Sequence, residues 1–401
     1  MNRSGRQIIV FGAGNIGRSF LTPVFLDAGY DVTLVDIDAQ LIRALGEQGR
    51  YTIEVRSAEG VETRVVSGFD AVELSDREEI VDLVADTDLV ATAVGQRGLP
   101  GVCDLLAEAL PERRLRHGVR PLDVILAENF RAGREFCRLR IASHLAADFP
   151  LEEMLGIVET SIGKMVPVVS EEQRRADPLR LYAEPYNTLI LDRNAFRGAP
   201  PEGPGIELVS PIEAYVDRKL FVHNLGHAAA AYHGRARHPE REYVWEVLED
   251  DAVAAAARDA MMQGAAAVRA EYPGAFSREA LGEHVEDLIH RFANRNLRDT
   301  VERVGRDLRR KLSRDDRLTG AMRLAAAHGL PFEAIAAAYR AALGFGALAR
   351  GADGPASVEE ADREISMLFK GDPERAYREL STANEEPDEL DRRVLAVITG
   401  G

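Results

Sequence analysis

Cysteine is almost missing from this chain of 401 residues: Cys103 and Cys137 are the only two, too few for a metal cluster or a disulfide framework. No run of about 18 apolar residues occurs, so nothing reads as a membrane-spanning helix. The first strand pattern begins too early for a signal peptide, and we expect a cytoplasmic protein. Positive charge is also in deficit. With 50 Lys and Arg against 66 Asp and Glu, the formal net charge is −16, which argues against a nucleic-acid partner and gives no reason to expect a membrane surface. Internal repeats and low-complexity tracts are absent. The length exceeds one ordinary domain and suffices for two cores, on a prior of about 100 to 200 residues each.

What is present begins with residues 7–11, a continuous apolar run of strand character, followed at once by Gly12-Ala13-Gly14-Asn15-Ile16-Gly17 and an apolar helical pattern. A G-x-G-x-x-G between strand and helix is the dinucleotide fingerprint in its proper setting. Gly12 permits the tight turn, Gly14 lets the backbone approach a pyrophosphate, and Gly17 lets helix pack on strand. The helix N-terminus offers free N–H groups and the positive end of its dipole. Residues 31–35 form the next strand, ending in Asp36 at about 20 residues past the glycines. A carboxylate there accepts bonds from a ribose 2′-hydroxyl and repels a 2′-phosphate, favouring NAD over NADP. Pro23 is a misfit, falling inside the expected first helix, where proline costs about 3 kcal/mol or kinks the axis.

Further along, residues 51–55 and 62–66 read as a hairpin turned at 57–60, a helix near 78–85 leads to a strand at 89–94, and another helix leads to a strand at 122–126. This alternation predicts an α/β domain, a Rossmann-type, doubly wound and mainly parallel sheet. Ligands of such sheets bind beyond the strand carboxyl ends, which here are the turns at Ala93-Val94-Gly95-Gln96 and Glu128-Asn129. From about Ser210 the pattern changes to alanine-rich helical segments such as 252–268 and 331–343. The passage 198–205, rich in glycine and proline, is the best linker. We therefore expect a dinucleotide-binding domain over 1–205 and a mostly α-helical substrate-binding domain over 206–401. The acidic stretch 383–391 reads as exposed.

Within the second part, Lys219, Asn224 and His227 stand in one segment. In an α-helix, about 100° per residue puts Asn224 roughly 140° and His227 roughly 80° round from Lys219, so all three can converge. Such a trio suits oxidation of a secondary alcohol, with Lys219 as base if burial or neighbouring positive charge lowers its pKa, and the other two as donors to the oxygen. An amphipathic helix with a solvated lysine and a core histidine explains the same spacing. His223 and His227 stand at i and i+4, a spacing that suits a metal pair, but Asn224 occupies the place where a zinc helix needs glutamate.

Several separated motifs in register carry a resemblance: Phe11-Gly-Ala-Gly-Asn-Ile-Gly-Arg18, Ala91-Thr-Ala-Val-Gly95, Glu128-Asn129, Arg218-Lys-Leu-Phe221 with Asn224 and Gly226-His227, and the passage from Glu302 through Leu318. Together they resemble the polyol-specific long-chain dehydrogenases, the mannitol dehydrogenase family. The similarity runs over nearly the whole chain, and its length suits the hexitol-phosphate branch better than the longer mannitol 2-dehydrogenases and hexuronate reductases. The resemblance implies a metal-independent, NAD-dependent oxidoreductase of mannitol metabolism, with Lys219 as general base, Asn224 and His227 holding the substrate, and Asn129 completing the oxyanion pair. It also picks out Arg306, Arg310 and Lys311 as phosphate ligands, although the interleaved Asp299, Glu302, Asp307, Asp315 and Asp316 equally describe a solvated face. Departures lie at Gly163-Lys164, where the family carries Asp-Arg, at Asn296-Leu297, where it carries Asn-Pro, and at His223, where it carries leucine. They bear on substrate specificity. Oligomeric state is not legible.

Overall fold

The computed structural model describes residues 5–128, 132–167, 171–348, 356–383 and 385–400. It divides into two compact units, Met1–Arg56 with Gly60–Ile212, and Ser57–Glu59 with Glu213–Gly401.

Among its described residues the first unit holds eleven strands: β1 (Gln7–Phe11), β2 (Asp31–Asp36), β3 (Arg50–Arg56), β4 (Val61–Ser67), β5 (Phe69–Glu73), β6 (Leu89–Thr92), β7 (Leu122–Leu126), β8 (Leu155–Ser161), β9 (Leu181–Ala183), β10 (Leu189–Asp192) and β11 (Ile206–Val209). Eight of them make one sheet in the order β11-β10-β8-β7-β6-β1-β2-β5, and β4-β3-β9 make a second. The run from β5 to β8 is parallel, while β10 joins β8 antiparallel. Strands covered by helices on both faces need apolar side chains on both. In β1, Ile8 and Val10 enter one core while Ile9 and Phe11 enter the other, as the two-residue period of a strand requires. This is the doubly wound Rossmann sheet expected from the sequence. Its winding reverses at β1, which has β2 on one side and β6 on the other, so a crevice opens at the carboxyl ends of β1 and β6. The unit extends past residue 205 to Ile212, because β11 follows the glycine- and proline-rich passage and pairs with β10.

Pro23 is accommodated by a register shift. Residues Gly17–Leu21 form a π-turn before the α-helix Thr22–Asp27 begins, with Pro23 in that helix's first turn. The N–H and the hydroxyl of Thr22 both reach the Gly17 carbonyl, the hydroxyl at 2.8 Å. Pro23 has no N–H to offer the preceding turn, and the Arg18 carbonyl five residues before it accepts the Tyr51 hydroxyl at 2.7 Å.

The second unit is helical. The α-helix Ile212–Arg218, a π-turn at Lys219–Asn224 and the α-helix Leu225–Arg237 follow without a break, and the π-turn and the last of these helices pack against the long helix Asp251–Glu271. Buried alanines and glycines on both make the approach close. A Cβ on Gly264 would lie 1.9 Å from the Phe221 carbonyl oxygen, so only glycine fits beneath the π-turn. The acidic stretch 383–391 is exposed at Ala383, Glu385, Glu386, Asp388 and Glu389, as its composition suggests, but its end is built into the fold. Asp388 caps the helix Glu389–Ile398, and Asp391 is buried with one carboxylate oxygen 2.9 Å from Arg314 and the other bonded to Arg323 and Tyr377.

Candidate active site

At the carboxyl end of β1 each fingerprint glycine meets a different constraint. Gly12 has φ +99°, and a Cβ there would stand 2.3 Å from the Ala93 carbonyl oxygen. Gly17 lies on the Gly12 carbonyl, which a Cβ would meet at 1.8 Å. Gly14 is exposed and faces no protein atom within 4 Å of where a Cβ would be. Asn15 is exposed and Ile16 half-buried beside it. One carboxylate oxygen of Asp36 accepts the Ala13 N–H at 2.6 Å and the other accepts the Asp38 N–H at 2.9 Å. That leaves lone pairs on both for a further donor. Next to Asp36 a cleft of about 350 Å³ is lined by Ile37, Ala39, Glu73, Leu74 and Ser75, and Ile37 is 83% exposed.

The turn after β6 is tied to the end of β7. Val94 and Gly95 donate their N–H groups to the two carboxylate oxygens of Glu128, each at 2.9 Å. Glu128 thereby caps the helix Gly95–His117, and burial pushes its pKa up against those bonds. The structure brings residues 12–17, Asp36 and residues 93–95 to one end of one sheet. Asn129 lies outside the described residues.

In the second unit the catalytic candidates sit on the π-turn itself. The helical-wheel angles expected for an α-helix do not apply, because the N–H of Leu225 reaches back five residues to the Leu220 carbonyl. An i→i+5 turn winds through a smaller angle per residue than an α-turn, so Asn224 falls nearer to the side of Lys219 than the α-helical angle would place it. Single π-turns of this kind recur at functional sites. Burial, with a smaller contribution from the Arg317 charge, lowers the Lys219 pKa to about 8. Arg317 itself spans from Asp316, at 2.8 Å, to the Asn224 carbonyl, at 3.5 Å.

His227 follows on the first turn of the helix Leu225–Arg237. Its Nε2 is 3.2 Å from a carboxylate oxygen of Asp299, and its ring stacks on Phe292 with centroids 4.5 Å apart and planes 6° from parallel. Burial would raise the Asp299 carboxyl, but the hydrogen bond and charge of His227, with Arg303, hold it at about 2. His223 is buried, and its ring centre is 6.5 Å from that of His227. Burial carries its pKa well below the usual histidine range. Among the described residues no group of three or more His, Cys, Asp or Glu is arranged to hold a metal ion.

The basic run divides. Arg310 is half-exposed and bonded to Asp307 and Asp316 at 2.5 and 3.1 Å. Lys311 turns inward, with its ammonium on the Val304 carbonyl, and burial holds its pKa well below the usual lysine range. Arg306 is half-buried at the end of the helix Val301–Gly305. Two residues next to the catalytic candidates were missed by sequence reasoning. Arg317 lies inside a quoted family motif, which was its only signal, and Asp299 was counted among the charges of a solvated face.

Residues 6–204 match the family model of the mannitol dehydrogenase Rossmann domain and residues 211–351 that of the mannitol dehydrogenase C-terminal domain. Among solved structures, the Pseudomonas fluorescens mannitol 2-dehydrogenase ternary complex with NAD and D-mannitol aligns over 98% of this chain and 90% of its own, at 18% identity and TM-score 0.72. A substrate-free D-sorbitol dehydrogenase aligns over 99% and 92%, at 19% identity and TM-score 0.74. At these identities the two structures speak for the shared fold.

Proposed function

Because this chain belongs to the mannitol dehydrogenase family, we propose that it is an NAD-dependent polyol oxidoreductase interconverting mannitol 1-phosphate and fructose 6-phosphate. The observation that carries the reading is Lys219, on a π-turn that also carries Asn224 and brought to a pKa of about 8 by burial and Arg317. The first unit fits the cofactor. The open face at Gly14 suits a pyrophosphate, the Asp36 carboxylate a ribose diol, and the cleft beside Ile37 an adenine.

In oxidation, neutral Lys219 takes the proton of the C5 hydroxyl. The bound nicotinamide supplies the acceptor for the hydride that leaves the same carbon. Asn224, Asn129 and His227 hold the oxygen as charge develops on it, in a setting where fixed donors need no reorganisation. In reduction Lys219 returns the proton. None of these steps routes through a metal.

A second reading, an unphosphorylated polyol as substrate, is favoured by the engagement of Arg310 and the inward turn of Lys311. The phosphorylated reading relies on Arg306 and on Arg310 exchanging its carboxylates for phosphate. Following NADH absorbance with fructose 6-phosphate and with free fructose at matched concentrations tests both. A strong preference for the phosphate supports the first reading, and a preference for fructose replaces it with the second. Silence on both, with hexuronates inactive too, would overturn the assignment.

A further inference from the structure

Asp299 is a buried carboxylate whose two oxygens are both committed, one to His227 Nε2 at 3.2 Å and one to Arg303 at 2.5 Å. Burying a carboxylate is costly unless it is paired, and its backbone is fixed from both sides. Arg298, just before it, has φ 53°, a left-handed conformation rare outside glycine. Thr300, just after it, caps the helix Val301–Gly305 through its hydroxyl and forms an antiparallel bridge with Tyr243. The Asp299 carbonyl accepts the Val244 N–H at 2.9 Å. A surface ion pair with Arg303 would need none of this fixing.

Resting on the reading of His227 as a substrate-binding group, we propose that Asp299 is the positioning residue of the site: it takes the Nε2–H of His227 and so leaves Nδ1 as the nitrogen for a substrate oxygen. The stack on Phe292 sets the plane of the imidazole, and the Asp299 bond sets its direction within that plane. The tautomer follows. A neutral His227 held in this way has no proton at Nδ1, so the form that donates to the reacting oxygen is the imidazolium. The reacting oxygen is thus met by the same donating nitrogen in both directions, with the Asp299 carboxylate balancing the imidazolium charge. Arg303 occupies the other oxygen and keeps the carboxylate from rotating away.

The test is a double-mutant cycle on the full chain, with kcat, KM and NADH binding measured for Asp299→Asn, His227→Ala and both together. Asp299→Asn keeps the shape and removes the charge. We expect it to lower kcat about 10- to 100-fold, the range typical of partners that orient a histidine, with NADH affinity unchanged. In the His227→Ala background it should change kcat by less than about twofold. Losses that multiply in the double variant would overturn the proposal, since a merely structural aspartate does not act through His227. A His227→Ala enzyme with normal kcat would overturn the reading of the site and the proposal with it, and that single variant tells the two failures apart. Should Asp299→Asn fail to accumulate, Asp299→Asn with Arg303→Gln removes both charges together and is read in the same way.

Discussion

Replacing Arg317 by glutamine tests the Lys219 assignment most directly, because it alters the base without touching it. Lys219 serves as a base only when neutral. At pH 7 a pKa of about 8 leaves roughly one molecule in eleven neutral, against about one in three thousand at the ordinary 10.5. Burial is the larger cause of the lowering and Arg317 the smaller, so the guanidinium accounts for under half of the difference. A positive neighbour disfavours the protonated amine, and its removal raises the pKa. The acid limb of kcat/KM for polyol oxidation should therefore move up by no more than about one pH unit. Oxidation at pH 7 then falls by up to about tenfold and recovers above about pH 9. Carbonyl reduction needs the protonated lysine, so its alkaline limb should move up with it, extending reduction to higher pH. Asp316 keeps Arg310 as a partner at 3.1 Å, so the substitution strands no carboxylate. Profiles for both directions, followed by NADH absorbance from about pH 6 to about pH 10, decide the matter. Limbs that stay in place, or move down, refute the claim that Arg317 tunes this base.

The cofactor end gives a contrast of two alanines. Gly14→Ala meets no protein atom and should change stability by less than about 0.5 kcal/mol while weakening NADH binding, whereas Gly17→Ala drives a methyl onto the Gly12 carbonyl at 1.8 Å and should cost about 1–3 kcal/mol as well; denaturant melts and NADH titration separate them. Asp36→Ala should raise the ratio of NADP to NAD in kcat/KM by about tenfold or more, the worth of a hydrogen bond to a charged group, and an unchanged ratio would remove Asp36 from the ribose site. Gly264→Ala pushes on the Phe221 carbonyl beneath the π-turn and should lower kcat without changing NADH affinity; full turnover in that variant would show that the register of the turn is immaterial.

Much of the sheet was legible because buried parallel strands leave a strong trace. The residues of β1, β2 and β7 are short apolar runs closed by glycine or acidic residues, and the β3–β4 hairpin alternates as a half-buried pair must. The strands that escaped are weaker for physical reasons. Only one residue, Gly68, separates β4 from β5, which has no fully buried residue, and β9 has three residues and is held by its pairing with β3. The turn at Lys219 escaped for a different reason. Periodicity distinguishes 3.6 from 2, but a single five-residue step inside a helix leaves no period, and its sign was a glycine 45 residues away, at Gly264, chosen by the bulged carbonyl above it.

The identity of the base had one signal that pattern reading passes over. Of 50 basic residues only four are lysine, at 164, 219, 311 and 370. In a chain that otherwise uses arginine, each lysine asks what arginine could not do there. Lys370 is exposed and gives no answer. Lys164 reaches the Tyr186 carbonyl at 2.8 Å and lies over the Phe20 ring, and Lys311 is enclosed on the Val304 carbonyl. Both are places where a compact ammonium fits and a planar fork is oversized. Lys219 differs in kind, because arginine holds its proton at any pH a protein survives, whereas a lysine lowered to about 8 can release it. Lys219→Arg should therefore keep the charge beside Asn224 and NADH affinity within about twofold, yet lose oxidation by several orders of magnitude with no recovery at high pH. Activity returning in that variant above about pH 9 would mean that hydroxide or another group serves as the base, and that the π-turn presents Lys219 for binding alone.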